Sequence, residues 1–253
     1  MSGSADRWQR FRPGGRRLGV AHRGAPREAP ENTLAAFRRA LEAGAAAVEC
    51  DVHRTRDGRL VVIHDSTVER TTDGRGPVAA FTFDALRRLD AGRWFAEAFA
   101  GEPVPALEEV LDLVRGRVPL LLEIKNGPVF YDGIEADIAA VLRGREMERA
   151  VLVMSFDHHA VRAMRAVAQE VATAIIYSAR LIDAPAAAHA AAADALCPAW
   201  NFVTGDLVAE AHAAGLGVFP WTVDDEATMR RCLEWGVDGV TSNDVQLLTR
   251  VIC

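Results

Sequence analysis

Four short clusters in the first half of the chain gather residue types suited to acid/base chemistry on an anion. His22-Arg23-Gly24 sets an imidazole that titrates near neutrality beside a guanidinium with fork-like donors for anionic oxygens. Gly24 allows a sharp backbone turn. Pro30-Glu31-Asn32-Thr33 follows, and Asn32 or Thr33 is placed to cap a helix. In Glu49-Cys50-Asp51, strand alternation puts both carboxylates on one face and the thiol on the other. Glu123-Ile124-Lys125 projects an acid and an ammonium together by the same rule. The apolar run Leu60–Ile63 delivers a second imidazole, His64, followed by Asp65. Three carboxylates without a cysteine partner describe a hard oxygen site, suited to Mg2+ or Ca2+ rather than zinc. The alternative is an ion-pair cluster of Glu49, Asp51, Arg23 and Lys125 with no metal. His22 and His64 can divide the work of general base and general acid. His53 is set aside because its surroundings look polar and exposed. His158, His159, His189 and His212 fall on predicted helices and read as solvent-facing or packing residues.

These side chains need elements to hold them. Apolar β-like runs recur at Leu18–Ala21, Ala46–Val52, Pro119–Ile124, Ala150–Met154, Thr173–Tyr177, Ala195–Pro198, Gly217–Trp221 and Gly239–Thr241. Most precede a helix-compatible stretch, such as Thr33–Ala43, Leu107–Arg115, Asp132–Arg143, His158–Gln169, Asp206–Ala214 and Asp225–Trp235. The alternation predicts a parallel sheet covered by helices. Eight such units in 253 residues favour closure into a single (β/α)8 TIM-type barrel, with an open doubly wound sheet as the rival. Leu60–His64 follows Ala46–Val52 too closely for a crossover helix, so it reads as a hairpin partner. Pairing symmetrically about Asp57-Gly58 would set His64 opposite Asp51. The stretch 66–105 reads as a small helical cap insertion over the catalytic end, with Phe83–Asp90 helical and Trp94, Phe95 and Phe99 forming its core. Trp221-Thr222-Val223 places an indole at a strand end, where it packs on a small substrate moiety or belongs to the core.

Composition bounds the rest. A net charge of −6 gives no global attraction to nucleic acid or anionic lipid, so an anion site must be built locally. Cys50, Cys197, Cys232 and Cys253 form no Cys-x-x-Cys pair and suggest reduced thiols. No apolar run is long enough to span a bilayer, and the arginine-rich start has no signal-like core, which predicts a cytoplasmic protein without stable membrane insertion. Residues 1–16, with Arg7, Arg10, Arg12 and Arg16, read as a flexible tail, and 17–253 as one domain.

Taken together, His22-Arg23-Gly24, Pro30-Glu31-Asn32-Thr33, Glu49-x-Asp51, Asp57-Gly58, His64-Asp65, Glu123-x-Lys125, Trp221-Thr222-Val223 and Asp238-Gly239 resemble the glycerophosphodiester phosphodiesterase family, from about Leu18 to Leu248. The resemblance implies a glycerophosphodiester as small-molecule substrate, cut to glycerol 3-phosphate and an alcohol. It implies one divalent cation on Glu49, Asp51 and Glu123, acid/base work by His22 and His64, and phosphoryl binding by Arg23 and Lys125. Trp221 is assigned to substrate contact. The implied route is attack by the substrate's own glycerol hydroxyl, giving a cyclic phosphate that water opens. Three positions depart from the family pattern: Cys50 stands for a large apolar residue, Asp224 for the common Asn, and Ser242-Asn243 for an acidic ending. The last two bear on substrate choice. Two alternatives stay open: a lysophospholipase D acting on longer-chain lipids, and a non-catalytic barrel that binds phosphate esters.

Overall fold

The computed structural model describes residues 7–252. Among these, nine strands form: β1 (Leu18–Ala21), β2 (Ala47–Arg54), β3 (Leu60–Val62), β4 (Leu120–Ile124), β5 (Val151–Ser155), β6 (Ala172–Tyr177), β7 (Ala195–Pro198), β8 (Gly217–Val218) and β9 (Gly239–Ser242). The eight parallel strands run β8-β7-β6-β5-β4-β2-β1-β9, with β3 antiparallel on β2. Asp238 N donating to Val218 O at 2.9 Å and Thr241 N to Pro220 O at 2.9 Å bring the two ends of the sheet together, so the sheet is a nearly closed barrel. This is the TIM-type arrangement expected from eight strand–helix units.

Helices α1 (Leu34–Glu42), α2 (Phe83–Leu86), α3 (Leu107–Val114), α4 (Ile134–Gly144), α5 (His158–Val167), α6 (Ala184–Ala190), α7 (Gly205–Ala213), α8 (Glu226–Glu234) and α9 (Val245–Ile252) complete the chain. Side chains of Thr33, Asp157, Asp183, Thr204 and Asp225 accept backbone N–H groups at the starts of α1, α5, α6, α7 and α8. Those short polar residues fix where each loop becomes helix. Strand parity then sorts the side chains. Val48, Cys50, Val52, Leu120, Leu122 and Ile124 face outward into the layer beneath the helices. Ala47, Leu121, Leu152, Met154, Ala174 and Ile176 fill the barrel interior.

The start of the chain corrects the flexible-tail expectation. Residues 1–6 lie outside the described ones, but Trp8 and Phe11 are buried with Leu18, Val20 and Phe219 in the barrel interior. Trp8 Nε1 donates to Gly215 O at 3.0 Å, its ring meets Phe219 edge-on at 6.3 Å, and Arg12 pairs with Asp238. Gly217 makes room: a Cβ there would meet the Trp8 ring at 2.8 Å. The arginines drew attention away from the Trp-x-x-Phe pair between them, which has apolar area to bury.

The hairpin register also needs correction. Val52 pairs with Val62, His53 with Val61 and Arg54 with Leu60, and in the loop between them Gly58 takes φ +82°. Ile63 therefore lies beside Asp51, donating to its carbonyl at 3.1 Å, and His64 is one residue further on. Thr55 N bonds Arg59 O at 2.9 Å, so the loop has three residues and ends on left-handed Gly58, one residue more than the two-residue turn expected. Beyond His64 the chain folds into a cap, returning where Val62 N bonds Pro105 O. The cap's core is Val61, Ile63, Val68, Val78, Leu86, Ala91 and Val104. Phe95 instead meets Trp94 and Phe99 edge-on outside that core, with Trp94 exposed. Its one α-helix is only Phe83–Leu86, shorter than expected.

Candidate active site

The parallel pairing of β2 with β4 sets Asp51 beside Glu123, and Glu49 lies one inward position below Asp51. One oxygen from each of these three buried carboxylates lies within 4.8 Å of the others. They sit at the C-terminal end of the barrel, where loops after the strands bring in the remaining groups. His22 and Arg23 follow β1, Lys125 follows β4, His64 follows β3, and Trp221 follows β8. All the residues singled out in the sequence for chemistry thus meet at one place, except His53 and the four helical histidines.

Two backbone features aim the first loop. Arg23 takes φ +54°, and in that left-handed conformation its N–H donates to Glu49 Oε2 at 2.9 Å. Gly24, at φ +87°, lies against α1, where a Cβ would meet the Ala36 carbonyl carbon at 2.6 Å. Thr33 caps α1, and Asn32, the other cap candidate, binds Asp51 instead through Nδ2 at 2.8 Å.

Arg23 Nε is 3.3 Å from Asp51 Oδ2, and its Nη1 donates to Glu31 at 2.9 Å. Lys125 Nζ lies 2.7 Å from Glu123 Oε1, 3.7 Å from Asp51 Oδ1 and 3.2 Å from His64 Nε2. Burial pushes the Asp51 carboxyl up, but Arg23 and Lys125 outweigh it and hold Asp51 well below the usual carboxylate range. Glu123 goes the other way: burial and the Asp51 charge push it up to about 7. Glu49 is raised well above its ordinary value for the same two reasons. Three carboxylates against two cations leave negative charge uncompensated, and Glu49 Oε1 is buried with no hydrogen-bond partner. The donor set therefore fits a hard divalent cation, which would supply the missing positive charge and the missing partner.

Each catalytic-candidate imidazole is held through Nδ1. His22 Nδ1 lies 2.7 Å from Asn243 Oδ1, and His64 Nδ1 lies 2.6 Å from Asp65 Oδ1. Burial, followed by the neighbouring Arg23, lowers His22 to about 4, and burial lowers His64 against the pull of Asp51. Both rings are therefore neutral near pH 7 and able to accept a proton. The cleft, about 130 Å3, is two-sided: His22, Arg23, Glu49, His64, Glu123 and Lys125 face Met154, Phe156, Ile176, Phe219 and Trp221. Trp221 donates Nε1–H to Cys197 O at 2.8 Å and meets Phe156 edge-on at 5.5 Å. A larger groove of about 550 Å3 opens at the other end of the barrel among Arg10, Phe11, Arg117 and Val118. It contains no acid or imidazole, so the smaller cleft is the one equipped for acid/base chemistry.

Several contributors went unassigned in the sequence. Arg70, in the cap, donates to both oxygens of Asp65 and of Glu31, tying the His64 partner to the Arg23 partner. Ser242 and Asn243 both donate to the Asp224 carboxylate behind His22. His53 is buried rather than exposed, with Nε2 3.1 Å from His64 O and Nδ1 2.9 Å from Tyr131 Oη. Strand alternation carried the signal for His53, since it shares the parity of Glu49 and Asp51. The others act by contacts between distant loops that no spacing reveals.

Residues 22–247 match the model of the glycerophosphoryl diester phosphodiesterase family. A glycerophosphodiester phosphodiesterase of Caldanaerobacter subterraneus subsp. tengcongensis is 40% identical over 236 residues, covering 93% of this chain and 97% of the relative. The crystal structure of a putative glycerophosphoryl diester phosphodiesterase from Silicibacter pomeroyi superposes with TM-score 0.87 at 31% identity, covering 96% of each chain. An Oleispira antarctica phosphodiesterase, solved with its product sn-glycerol-3-phosphate, superposes with TM-score 0.85 at 28% identity, covering 95% of this chain and 98% of that one. With its barrel, its acid and imidazole cluster and these relatives in agreement, the chain belongs to the glycerophosphoryl diester phosphodiesterase family and is a phosphoric diester hydrolase.

Proposed function

We propose that the chain hydrolyses glycerophosphodiesters to glycerol 3-phosphate and an alcohol, with Glu49, Asp51 and Glu123 holding one divalent cation, Mg2+ or Ca2+. The observation that carries the reading is the three-carboxylate cluster, with its unpartnered Glu49 oxygen, set between two neutral imidazoles and two cationic side chains. When bound, the cation polarises the phosphoryl group and offsets the charge of the carboxylates.

The chain's own residues do the rest. Arg23 and Lys125 neutralise charge on the phosphoryl oxygens, Arg23 from a guanidinium already aligned by Glu31 and Asp51. One neutral imidazole takes the proton of the attacking hydroxyl. The other, once protonated, gives its proton to the leaving alkoxide, and the roles reverse when water opens the cyclic phosphate. Trp221, on the apolar wall, packs against the glycerol carbons. The 130 Å3 cleft suits a small diester better than an acyl chain, and Trp94, Phe95 and Phe99 are not among its lining residues. That favours glycerophosphodiesters over lysolipids.

The reading is tested by following glycerol 3-phosphate release from glycerophosphocholine and glycerophosphoethanolamine, beside lysophosphatidate release from a lysophospholipid. Turnover of the small diesters is expected to dominate. Faster turnover of the lysolipid would transfer the chain to the lysophospholipase D reading, and no turnover of either by folded, metal-supplied protein would favour the non-catalytic one.

A further inference from the structure

An imidazole works as a base only through a ring nitrogen that carries no proton, so His22 must hold its single proton on the side away from the cleft. The register of β1 with β9 pairs Ala21 with Ser242, so His22 and Asn243 leave the two strands side by side. Asn243 presents Oδ1 to His22 Nδ1 at 2.7 Å and donates Nδ2–H to Asp224 Oδ2 at 2.7 Å. A carboxylate has no donor, so Asp224 accepts only the nitrogen side of the Asn243 amide and turns the oxygen side to His22. Asp224 is itself fixed, accepting the Ser242 hydroxyl at 2.9 Å and the Asn243 backbone N–H at 2.8 Å on Oδ1. Facing an acceptor, His22 Nδ1 carries the proton. Nε2 is then bare on the cleft side, 3.9 Å from Glu49 Oε2.

We propose that Asp224, acting through the Asn243 amide, is a positioning residue that holds His22 as the Nδ1–H tautomer with Nε2 free to take a proton. The proposal rests on the phosphodiesterase reading above and names a residue that does not line the cleft. It also gives the two departures from the family pattern, at Asp224 and Ser242-Asn243, one joint physical role.

In Asp224→Asn, the new amide can offer Nδ2–H to Asn243, which then turns its own oxygen outward and its Nδ2–H toward His22. His22 Nδ1 becomes an acceptor, and the proton moves to Nε2. Adding Asn243→Asp repairs the chain of bonds, because a carboxylate at position 243 accepts both from His22 and from the amide introduced at position 224. The wild-type protein should show His22 protonated at Nδ1 in long-range proton–nitrogen NMR of the ring. Asp224→Asn should shift the signal to the Nε2–H form and lower kcat roughly 10- to 100-fold, as for loss of other outer-shell partners, with KM and metal affinity little changed. The double variant Asp224→Asn/Asn243→Asp should recover both the tautomer and most of kcat. A wild-type ring protonated at Nε2 overturns the proposal even if the variants fail to fold. Wild-type kcat in Asp224→Asn, or a double variant as impaired as the single, overturns it as well. Absence of turnover in the wild type would instead count against the functional reading and leave the tautomer measurement standing.

Discussion

Packing Glu49, Asp51 and Glu123 into a barrel interior is unfavourable without a counter-charge, and the structure records how that is met. Arg23 and Lys125 hold Asp51 ionised, while burial and the Asp51 charge raise Glu49 and Glu123. A carboxyl raised to about 7 when folded and ordinary when unfolded binds more protons in the folded state, so its contribution is present at low pH and lost as pH rises. A bound cation displaces that proton, so the Tm gain on adding metal should grow as pH rises from about 4.5 to 7; differential scanning calorimetry at matched ionic strength, with and without metal, reads it. A metal-induced gain that shrinks with rising pH would contradict the assignment. Glu49→Ala and Asp51→Ala should each abolish metal-dependent turnover, and retention of near-native rates by both would remove the metal site. His22→Ala and His64→Ala should lower turnover by roughly 10²- to 10⁴-fold with metal affinity intact, measured by calorimetric titration. At this scale the sequence was informative wherever strand parity or adjacency did the placing, as at Glu49, Asp51, Glu123 and Lys125. It gave Asn32 only as a cap candidate and Asp224 only as a departure bearing on substrate choice, and was silent on Arg70; their partners lie 19, 19 and 39 residues away.

Elements set how accurately those residues are held. The loop from β1 to α1 turns at Gly24 in a conformation and a space that exclude a side chain. Gly24→Ala should cost about 1–3 kcal/mol and displace Arg23 and His22; a denaturant midpoint equal to wild type would refute the packing argument. The cap reaches the site through Arg70, whose fork spans Asp65 and Glu31. One ammonium cannot reproduce that fork, so Arg70→Lys should recover only part of the roughly 10- to 100-fold loss in kcat expected of Arg70→Ala. Full recovery would make Arg70 a simple charge. The hairpin shows where periodicity stops being sufficient. Asp57-Gly58 correctly marked the turn, but loop length sets the register, and one added residue moved Ile63 into the position expected for His64. His64 still reaches the cleft because it has already left the strand and is held by Asp65 and Lys125.

Across the whole molecule, one end of the barrel is built for chemistry and the other for closure. The eight parallel strands and most of the helices between them were readable because each carries its own apolar run or helix start; α9, after the last strand, was not. The seating of Trp8 and Phe11 was not, since it depends on Gly217 and Phe219, far along the chain. Trp8→Ala should destabilise the fold by roughly 3–5 kcal/mol while leaving kcat per folded molecule unchanged, which active-site titration after thermal challenge can separate. Among the described residues no helix is long and apolar enough to cross a membrane, and the substrate cleft sits among strand ends and βα loops at the catalytic end. On the proposed function, this cleft cleaves glycerophosphodiesters by means of a cation held on three carboxylates. The most direct test is to strip the protein with chelator and add back Mg2+, Ca2+ or Mn2+ in steps, following glycerol 3-phosphate release and bound metal in the same sample. Release restored in proportion to a single bound cation, and absent in Glu49→Ala, is the predicted result; undiminished release by the stripped protein, or metal bound equally well by Glu49→Ala, would contradict the account.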